Sequence, residues 1–233
     1  MYCKEINKRS PMRVFERSTH GGLGCGNVGL VMSEPGLGKT PFLVGVALDD
    51  VMRDRKVLHV DMGHSADHVR NYYDEIFADL AKTTNLEESG DVHLMVERNR
   101  VIHSFRGGCF SMEKFREAVS YMADHMDFKP DAIVMDGFPN FEDAGAQIGE
   151  LKALAKELNA ELWLAATVQG GDTGSPNMLP NNINAIRSQL DVIVGLEPTA
   201  DHVRLRLLKD HDSDTVSDIY IELDPTTLLM KWH

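Results

Sequence analysis

The sequence is poor in the features that mark membrane, secreted and disulfide-stabilised proteins. Its three cysteines, Cys3, Cys25 and Cys109, are odd in number and far apart, so they predict neither a disulfide framework nor a zinc site. No apolar run approaches the ~18–20 residues of a membrane-spanning helix, and residues 1–20 lack the apolar core of a secretory signal. We therefore expect a cytoplasmic protein without membrane contacts.

Positive charge is also scarce. The 24 Lys and Arg residues are outnumbered by 36 Asp and Glu, which gives a formal net charge of −12. Such a surface repels phosphate backbones unless a basic patch is segregated from the rest, so we do not expect a nucleic-acid partner. The segment 1–20 is the exception, and we predict a basic N-terminal arm there, either solvated and partly mobile or docking a protein partner. Its basic residues are Lys4, Lys8, Arg9, Arg13 and Arg17.

Apolar periodicity predicts one α/β domain over residues 21–233. Buried strands are predicted at 27–33, 56–62, 100–105, 131–136 and 161–168, with helices at 40–55, from Ser65, from about Met112 and at 145–158. Strands that are apolar along their length need helices on both faces, which indicates a mainly parallel sheet sandwiched by helices. The late strands, at 190–197, 202–209 and 218–223, favour antiparallel neighbours. Composition predicts loops at 82–92 and 170–182.

The stretch SEPGLGKT, residues 33–40, is typical of a loop that binds phosphate. In the pattern G-x-x-x-x-G-K-[ST], glycines let backbone N–H groups point at phosphate oxygens, the lysine reaches the terminal phosphates, and the hydroxyl binds Mg²⁺. Ser33 replaces the first glycine, and the loop opens a helix whose N-terminus favours an anion. We predict nucleotide binding by Ser33, Glu34, Pro35, Gly36, Leu37, Gly38, Lys39 and Thr40.

An acidic residue at the end of another buried strand would complete a magnesium–nucleotide site. The strand AIVMD ends in Asp136, and a carboxylate there can hold Mg²⁺ directly or through water. Alone, such an aspartate is often only a helix cap. Together with the loop, it predicts that Thr40 and Asp136 organise the metal.

Three stretches resemble the RecA-type P-loop ATPases, the group that includes KaiC-like proteins and DnaB-type helicases. They are GGLGCGNVGLVMSEPGLGKT (21–40), KPDAIVMDG (129–137) and LRLLKDH (205–211). The resemblance implies a RecA-like fold over about residues 21–226, binding of ATP with Mg²⁺, and a homo-oligomeric ring or filament with ATP held between neighbouring subunits.

The chain departs from this group at the glutamate that positions the attacking water. Without a gap, the glutamate aligns with Gly63 or His64, whereas a two-residue insertion puts Asp61 in its place. We favour Asp61 as the catalytic base. The alternative is that Asp61 is only a polar residue at a strand end and that the base is absent. Some ATPases carry the base directly after the metal aspartate, but that residue here is Gly137.

Two further positions carry the resemblance with changes. Lys209 matches the lysine of a Lys-x-Arg finger that reaches a neighbour's nucleotide, but His211 stands where arginine is usual, which implies a weaker, pH-sensitive finger. The alternative is a solvated surface turn. Gln169 follows a strand where the group often has a polar residue that senses the γ-phosphate, although it could equally cap a turn. The loop at 170–182 contains no Lys or Arg, which argues against a DNA channel.

These features favour slow Mg²⁺-dependent ATP hydrolysis coupled to assembly or partner binding. A nucleotide-gated binding module without useful hydrolysis is the alternative, and a nucleic-acid motor fits the charge least well. The pair His64 and His68, four residues apart, could hold a metal, but a solvated helix start fits the surrounding sequence better.

Overall fold

The computed structural model of the chain describes residues 2–138, 144–168, 179–213 and 215–232. Its strands are β1 (Val28–Ser33), β2 (Val57–Asp61), β3 (Arg100–Ser104), β4 (Ala132–Asp136), β5 (Glu161–Thr167), β6 (Val192–Pro198), β7 (Val203–Asp210), β8 (Ile221–Leu223) and β9 (Met230–Trp232). They form one sheet in the order β3-β2-β4-β5-β1-β6-β7-β8-β9. Strands β1 to β6 run parallel, and β7, β8 and β9 are antiparallel to their neighbours. The predicted sheet is confirmed in outline, although β6 still belongs to the parallel part.

Helices cover this sheet in two layers. They are α1 (Cys3–Arg9), α2 (Pro11–Ser18), α3 (Lys39–Val51), α4 (Ala66–Thr84), α5 (Ser89–Asn99), α6 (Met112–Met126), α7 (Gly145–Leu158) and α8 (Asn181–Ile186). Helices α1 to α5 pack on one face, and α6 to α8 pack on the other. No helix in the described ranges is both long and apolar enough to cross a bilayer.

Helix α3 lies at the centre of its layer. Ten of its 13 residues are buried, including Asp49 and Asp50, because apolar side chains occupy nearly the whole of its surface. Pro41 is tolerated in its first turn, where backbone N–H groups have no partner within the helix. Since α3 begins where the loop at 33–40 ends, that loop is fixed to a buried part of the molecule.

The N-terminal segment corrects our expectation of a solvated arm. It forms α1 and α2, which place Ile6, Met12 and Phe15 in the core. The Phe15 ring lies 5.8 Å from that of Trp163. Burial of these apolar side chains outweighs the solvation of the charged residues around them, and most of the basic side chains stay exposed on the outer side.

Helix α5 and strand β9 were not predicted. The predicted loop at 82–92 is shorter, because α4 runs to Thr84 and α5 begins at Ser89. Val92 and Val96, four residues apart, are buried against the core, and Met95 packs beside them, so the helix has a short apolar face that the surrounding polar residues obscure in the sequence. The predicted loop at 170–182 lies largely outside the described residues, and its last two residues begin α8.

Candidate functional site

The loop between β1 and α3 has the backbone shape that its glycines permit. Gly36 and Gly38 have φ angles of +79° and +94°, in the left-handed region that side chains disfavour. A Cβ atom at Gly38 would lie 2.3 Å from Cδ2 of the buried Leu223, whereas one at Gly36 would meet nothing within 4 Å. Packing therefore requires glycine at Gly38, and backbone geometry alone requires it at Gly36.

Lys39 bends back over this loop. Its Nζ donates to the Ser33 carbonyl oxygen at 3.3 Å, to Ser33 Oγ at 3.2 Å and to the Glu34 carbonyl oxygen at 3.1 Å. Burial lowers the pKa of Lys39, and the Asp136 carboxylate partly offsets that effect. The ammonium group is thus held at the inner side of the loop at 33–40 by acceptors that tolerate its charge.

Thr40 and Asp136 meet beside this lysine. Although β5 separates β1 from β4 in the sheet, the Thr40 hydroxyl donates to Asp136 Oδ2, and the Gly137 N–H donates to Oδ1 at 2.9 Å. Burial raises the pKa of Asp136, the hydrogen bond from Thr40 lowers it, and the neighbouring charge of Asp61 raises it further. Lys39, Asp136 and Thr167 line a cleft of about 320 Å³.

Asp61 ends β2 directly beside Asp136, its partner in the parallel register. Its side chain is 1 % exposed. Oδ1 accepts hydrogen bonds from the Gly63 N–H, at 2.8 Å, and from the His64 N–H, while Oδ2 lies 3.2 Å from His64 Nδ1. The carboxylate therefore closes the turn after β2 and orients the imidazole of His64, which is 54 % exposed.

His59 lies behind Asp61, two residues earlier on the same face of β2. It is completely buried, and its Nδ1 lies 3.0 Å from the Tyr73 hydroxyl. Its Nε2 has no hydrogen-bond partner among the described residues. Burial lowers the pKa of His59 to about 4, against the opposing effect of Asp61, so the imidazole is neutral near pH 7. One ligand atom from each of His59, Asp61 and Asp136 lies within 4.8 Å of the others.

Sequence reasoning missed His59. The available signal was a histidine in the middle of the buried strand VLHVD, where a polar side chain needs a specific reason to be present. Its proximity to Asp136 depends on which strand pairs with β2, and a single sequence does not give that pairing.

Lys209 and His211 lie at the opposite end of the sheet from the loop at 33–40. In the antiparallel register Lys209 faces Ile193, and the neighbouring Val192 faces Gly29 at the start of β1. The two ends of a six-residue strand are ~17 Å apart. Within one chain, neither residue can therefore act at the loop.

Both side chains contact their own chain. Lys209 Nζ donates to the carbonyl oxygens of Arg187, at 3.0 Å, and Leu190, and burial lowers its pKa. His211 Nδ1 lies 2.8 Å from Asp210 Oδ1, and Nε2 lies 3.1 Å from the Leu23 carbonyl oxygen. Lys209 and His211 therefore do not lie in a solvated turn, and they do not project freely from the surface as a finger would.

Two other candidate positions are Gln169 and the pair of His64 and His68. Gln169 lies outside the described residues. The imidazole rings of His64 and His68 stack with centroids 4.6 Å apart, but the pair belongs to neither group of three or more potential metal ligands found in the described part of the chain.

Comparison of the chain with models of known protein families gives no match, and comparison with curated proteins gives none either. Only the residues and geometry of the site itself therefore indicate a function.

Proposed function

We propose that the chain binds ATP with Mg²⁺ at residues 33–40 and hydrolyses it slowly. One observation carries this proposal: the Thr40 hydroxyl is hydrogen-bonded to the Asp136 carboxylate beside Lys39, at the start of a buried helix. A cation, a metal-binding hydroxyl and a buried carboxylate thus meet where a helix N-terminus favours an anion.

Each of these groups has a separate role in the proposal. The backbone N–H groups from Gly36 to Thr40 and the Lys39 ammonium bind the phosphates. Thr40 and Asp136 would hold Mg²⁺, and the ion would supply positive charge to neutralise the charge that develops on the γ-phosphate during transfer. Charge stabilisation of this kind is often the largest contribution to phosphoryl-transfer catalysis.

The α/β layout is compatible with a RecA-like P-loop NTPase. In sequence, β2 and β3 lie between β1, which precedes the loop at 33–40, and β4, which ends in Asp136. In the sheet, β5 lies between β1 and β4. We infer a KaiC-like or RecA-like ATPase from this layout together with the motifs at 21–40, 129–137 and 205–211.

We expect slow turnover because few groups are free to position and deprotonate the attacking water. Three donors already engage the Asp61 carboxylate, and Gly137 offers no side chain. Loss of a general base typically costs ~10²–10⁴-fold. Asp61 remains the proposed base, and His64, which Asp61 orients, is the second candidate, because an aspartate that fixes an imidazole is a recurring catalytic arrangement.

The same engagement of Asp61 favours a second function, a nucleotide-gated binding module. In that case the protein retains ATP without cleaving it, and the bound state controls a partner. Single-turnover experiments with radiolabelled ATP separate the two functions: release of labelled phosphate over minutes supports the enzyme, and intact ATP after hours supports the binding module.

A finger role for Lys209 and His211 would require assembly. Because both lie far from the loop at 33–40 of their own chain, they could meet a nucleotide only in a neighbouring subunit. We propose a homo-oligomeric ring or filament. The exposed basic side chains of α1 and α2 offer a surface for an acidic protein partner.

Calorimetric titration with Mg²⁺-ATP tests the site. Lys39→Ala removes the charge-assisted contacts to the phosphates, so we expect its affinity to fall at least ~100-fold, or about 2.7 kcal/mol. Lys129→Ala changes an exposed lysine just before β4, at the end of that strand opposite to Asp136. This variant should bind as the wild type does. Equal binding by wild type and Lys39→Ala would contradict the assignment of the site.

A further inference from the structure

His59, Asp61 and Asp136 form a compact group of ligand atoms in the interior. Asp61 and Asp136 face each other across parallel strands, and His59 precedes Asp61 by two residues, so its side chain leaves the same face of the sheet. Their relative exposures are 0 %, 1 % and 7 %, and their ligand atoms lie within 4.8 Å of one another.

The unpaired nitrogen of His59 is the feature that needs a partner. A buried polar atom without a hydrogen bond costs about 1–3 kcal/mol, so such atoms are rare in folded proteins. Nδ1 contacts the Tyr73 hydroxyl, and in the tautomer that carries its proton on Nδ1, the Nε2 atom presents a lone pair. A hydrogen-bond partner on one ring nitrogen is the usual way in which a protein prepares the other for a metal.

The two carboxylates point to the charge of that partner. Both are buried and are direct neighbours, and burial, with repulsion from Asp61, raises the pKa of Asp136. Their partners are the Gly63, His64 and Gly137 N–H groups, the Thr40 hydroxyl and the His64 imidazole, of which only the exposed imidazole can carry a charge. Each oxygen that accepts one hydrogen bond keeps a second lone pair, so a divalent cation could bind both carboxylates and cancel their charge.

We propose that His59, Asp61 and Asp136 bind one divalent transition-metal ion, of the Mn²⁺, Co²⁺ or Zn²⁺ class. Mg²⁺ prefers oxygen ligands alone, whereas an imidazole nitrogen with two carboxylates suits these ions. Metal–ligand distances of ~2.0–2.2 Å require the three side chains to close by roughly 1 Å. Asp136 also lines the cleft, so it would contribute to both this ion and the Mg²⁺ proposed above. Metal binding here needs no nucleotide and can be tested without one.

A second group of potential ligands provides the contrast. Asp74, His93 and Glu97 also lie together, but on the surface between α4 and α5. His93 Nε2 already lies 3.0 Å from Asp74 Oδ1, so no buried atom there lacks a partner. We do not assign a metal to this group, and His93 becomes the matched control.

Cobalt titration of the nucleotide-free full chain, after removal of metals with a chelator, tests the proposal by visible absorption and calorimetry. We expect one bound Co²⁺ per chain, absorption bands of a low-coordinate site with nitrogen ligation, displacement by Zn²⁺, and persistence in excess Mg²⁺. His59→Gln should weaken Co²⁺ binding at least ~10-fold, and His93→Gln should leave Co²⁺ binding unchanged.

Circular dichroism will show whether each variant folds. If His59→Gln does not fold, Asp61→Asn, which keeps the side-chain shape, provides a second test. No Co²⁺ bound by the wild type would overturn the proposal, as would Co²⁺ binding that survives both substitutions. Either result leaves the proposed ATP site untouched, because ATP affinity is measured separately with Mg²⁺.

Discussion

The two ends of strand β1 use the same kinds of side chain in different ways. At its carboxyl end, Lys39 and Asp136 line the cleft, and the acceptors of Lys39 all belong to the loop at 33–40 itself. At its amino end, Lys209 and His211 also meet aspartates and carbonyl oxygens, but their polar atoms are bound to their own chain.

This difference separates residues that can serve a ligand from residues that stabilise the fold. Lys39 has acceptors only from its own loop, at residues that a phosphate would also approach. Lys209, by contrast, holds the carbonyl oxygens of Arg187 and Leu190, which lie at the end of the segment leading into β6. A finger role for Lys209 therefore requires a neighbour to compete with these bonds.

The largest expected effect on the carboxyl end comes from Gly38→Ala. The new Cβ would meet Leu223 and hold a left-handed φ, so we expect a loss of about 2–4 kcal/mol in the free energy of unfolding. Gly36→Ala should cost only about 1 kcal/mol, because its φ is unfavourable but the surrounding space is open. Urea denaturation of both variants measures the difference. Equal losses would mean that Leu223 moves aside freely and does not fix the loop.

The sequence predicted this end of the molecule better than the other, for a physical reason. The loop at 33–40 is contiguous, and its glycines and helix start set its shape locally, so a single stretch predicts the strand, the turn and the start of the helix. The position of Asp136 was predictable from the end of a single apolar strand. His59 acquires its neighbours through the pairing of β2 with β4, which no local pattern encodes.

The N-terminal segment and Lys209 show the same limit. Ile6, Met12 and Phe15 are few and surrounded by charges, so composition suggested a solvated arm, although Met12 and Phe15 stand three residues apart as on one face of a helix. For Lys209 the antiparallel direction was predicted, and that direction alone places it away from the loop at 33–40. The motif match drew attention to its identity and not to its position.

A smaller effect should distinguish the groups around the attacking water. Asp61→Asn keeps the shape of the side chain and removes its charge, so we expect ATP turnover to fall at least ~10-fold, equivalent to about 1.4 kcal/mol on the barrier, with nearly unchanged ATP affinity. If Asp61 acts by orienting His64, then His64→Asn should lower turnover to a similar level. The double variant should then be no slower than either single one, because residues that act as a unit are not additive.

Steady-state rates at saturating ATP, in chelator-treated protein with Mg²⁺ as the only divalent metal and with affinity measured separately, decide between these outcomes. Wild-type turnover in Asp61→Asn would exclude Asp61 from catalysis, either as the base or as the group that orients it. A loss in Asp61→Asn but not in His64→Asn would assign the role to the carboxylate alone.

For Lys209→Ala we expect a modest loss of stability in the isolated chain and almost no change in ATP binding. The substitution removes two hydrogen bonds to carbonyl oxygens, so the free energy of unfolding should fall by about 1–2 kcal/mol. ATP affinity should change less than about twofold, because the loop at 33–40 lies at the other end of β1.

The assembled protein gives the sharper test. Lys39→Ala subunits lack the ATP site but keep Lys209, and Lys209→Ala subunits keep the site but lack the lysine. If Lys209 acts on a neighbour's nucleotide, a mixture of the two inactive proteins should regain turnover, because some interfaces then combine an intact site with an intact lysine. A mixture no faster than its components, in oligomers shown by sedimentation to be mixed, would restrict Lys209 to the structural role that its two hydrogen bonds describe.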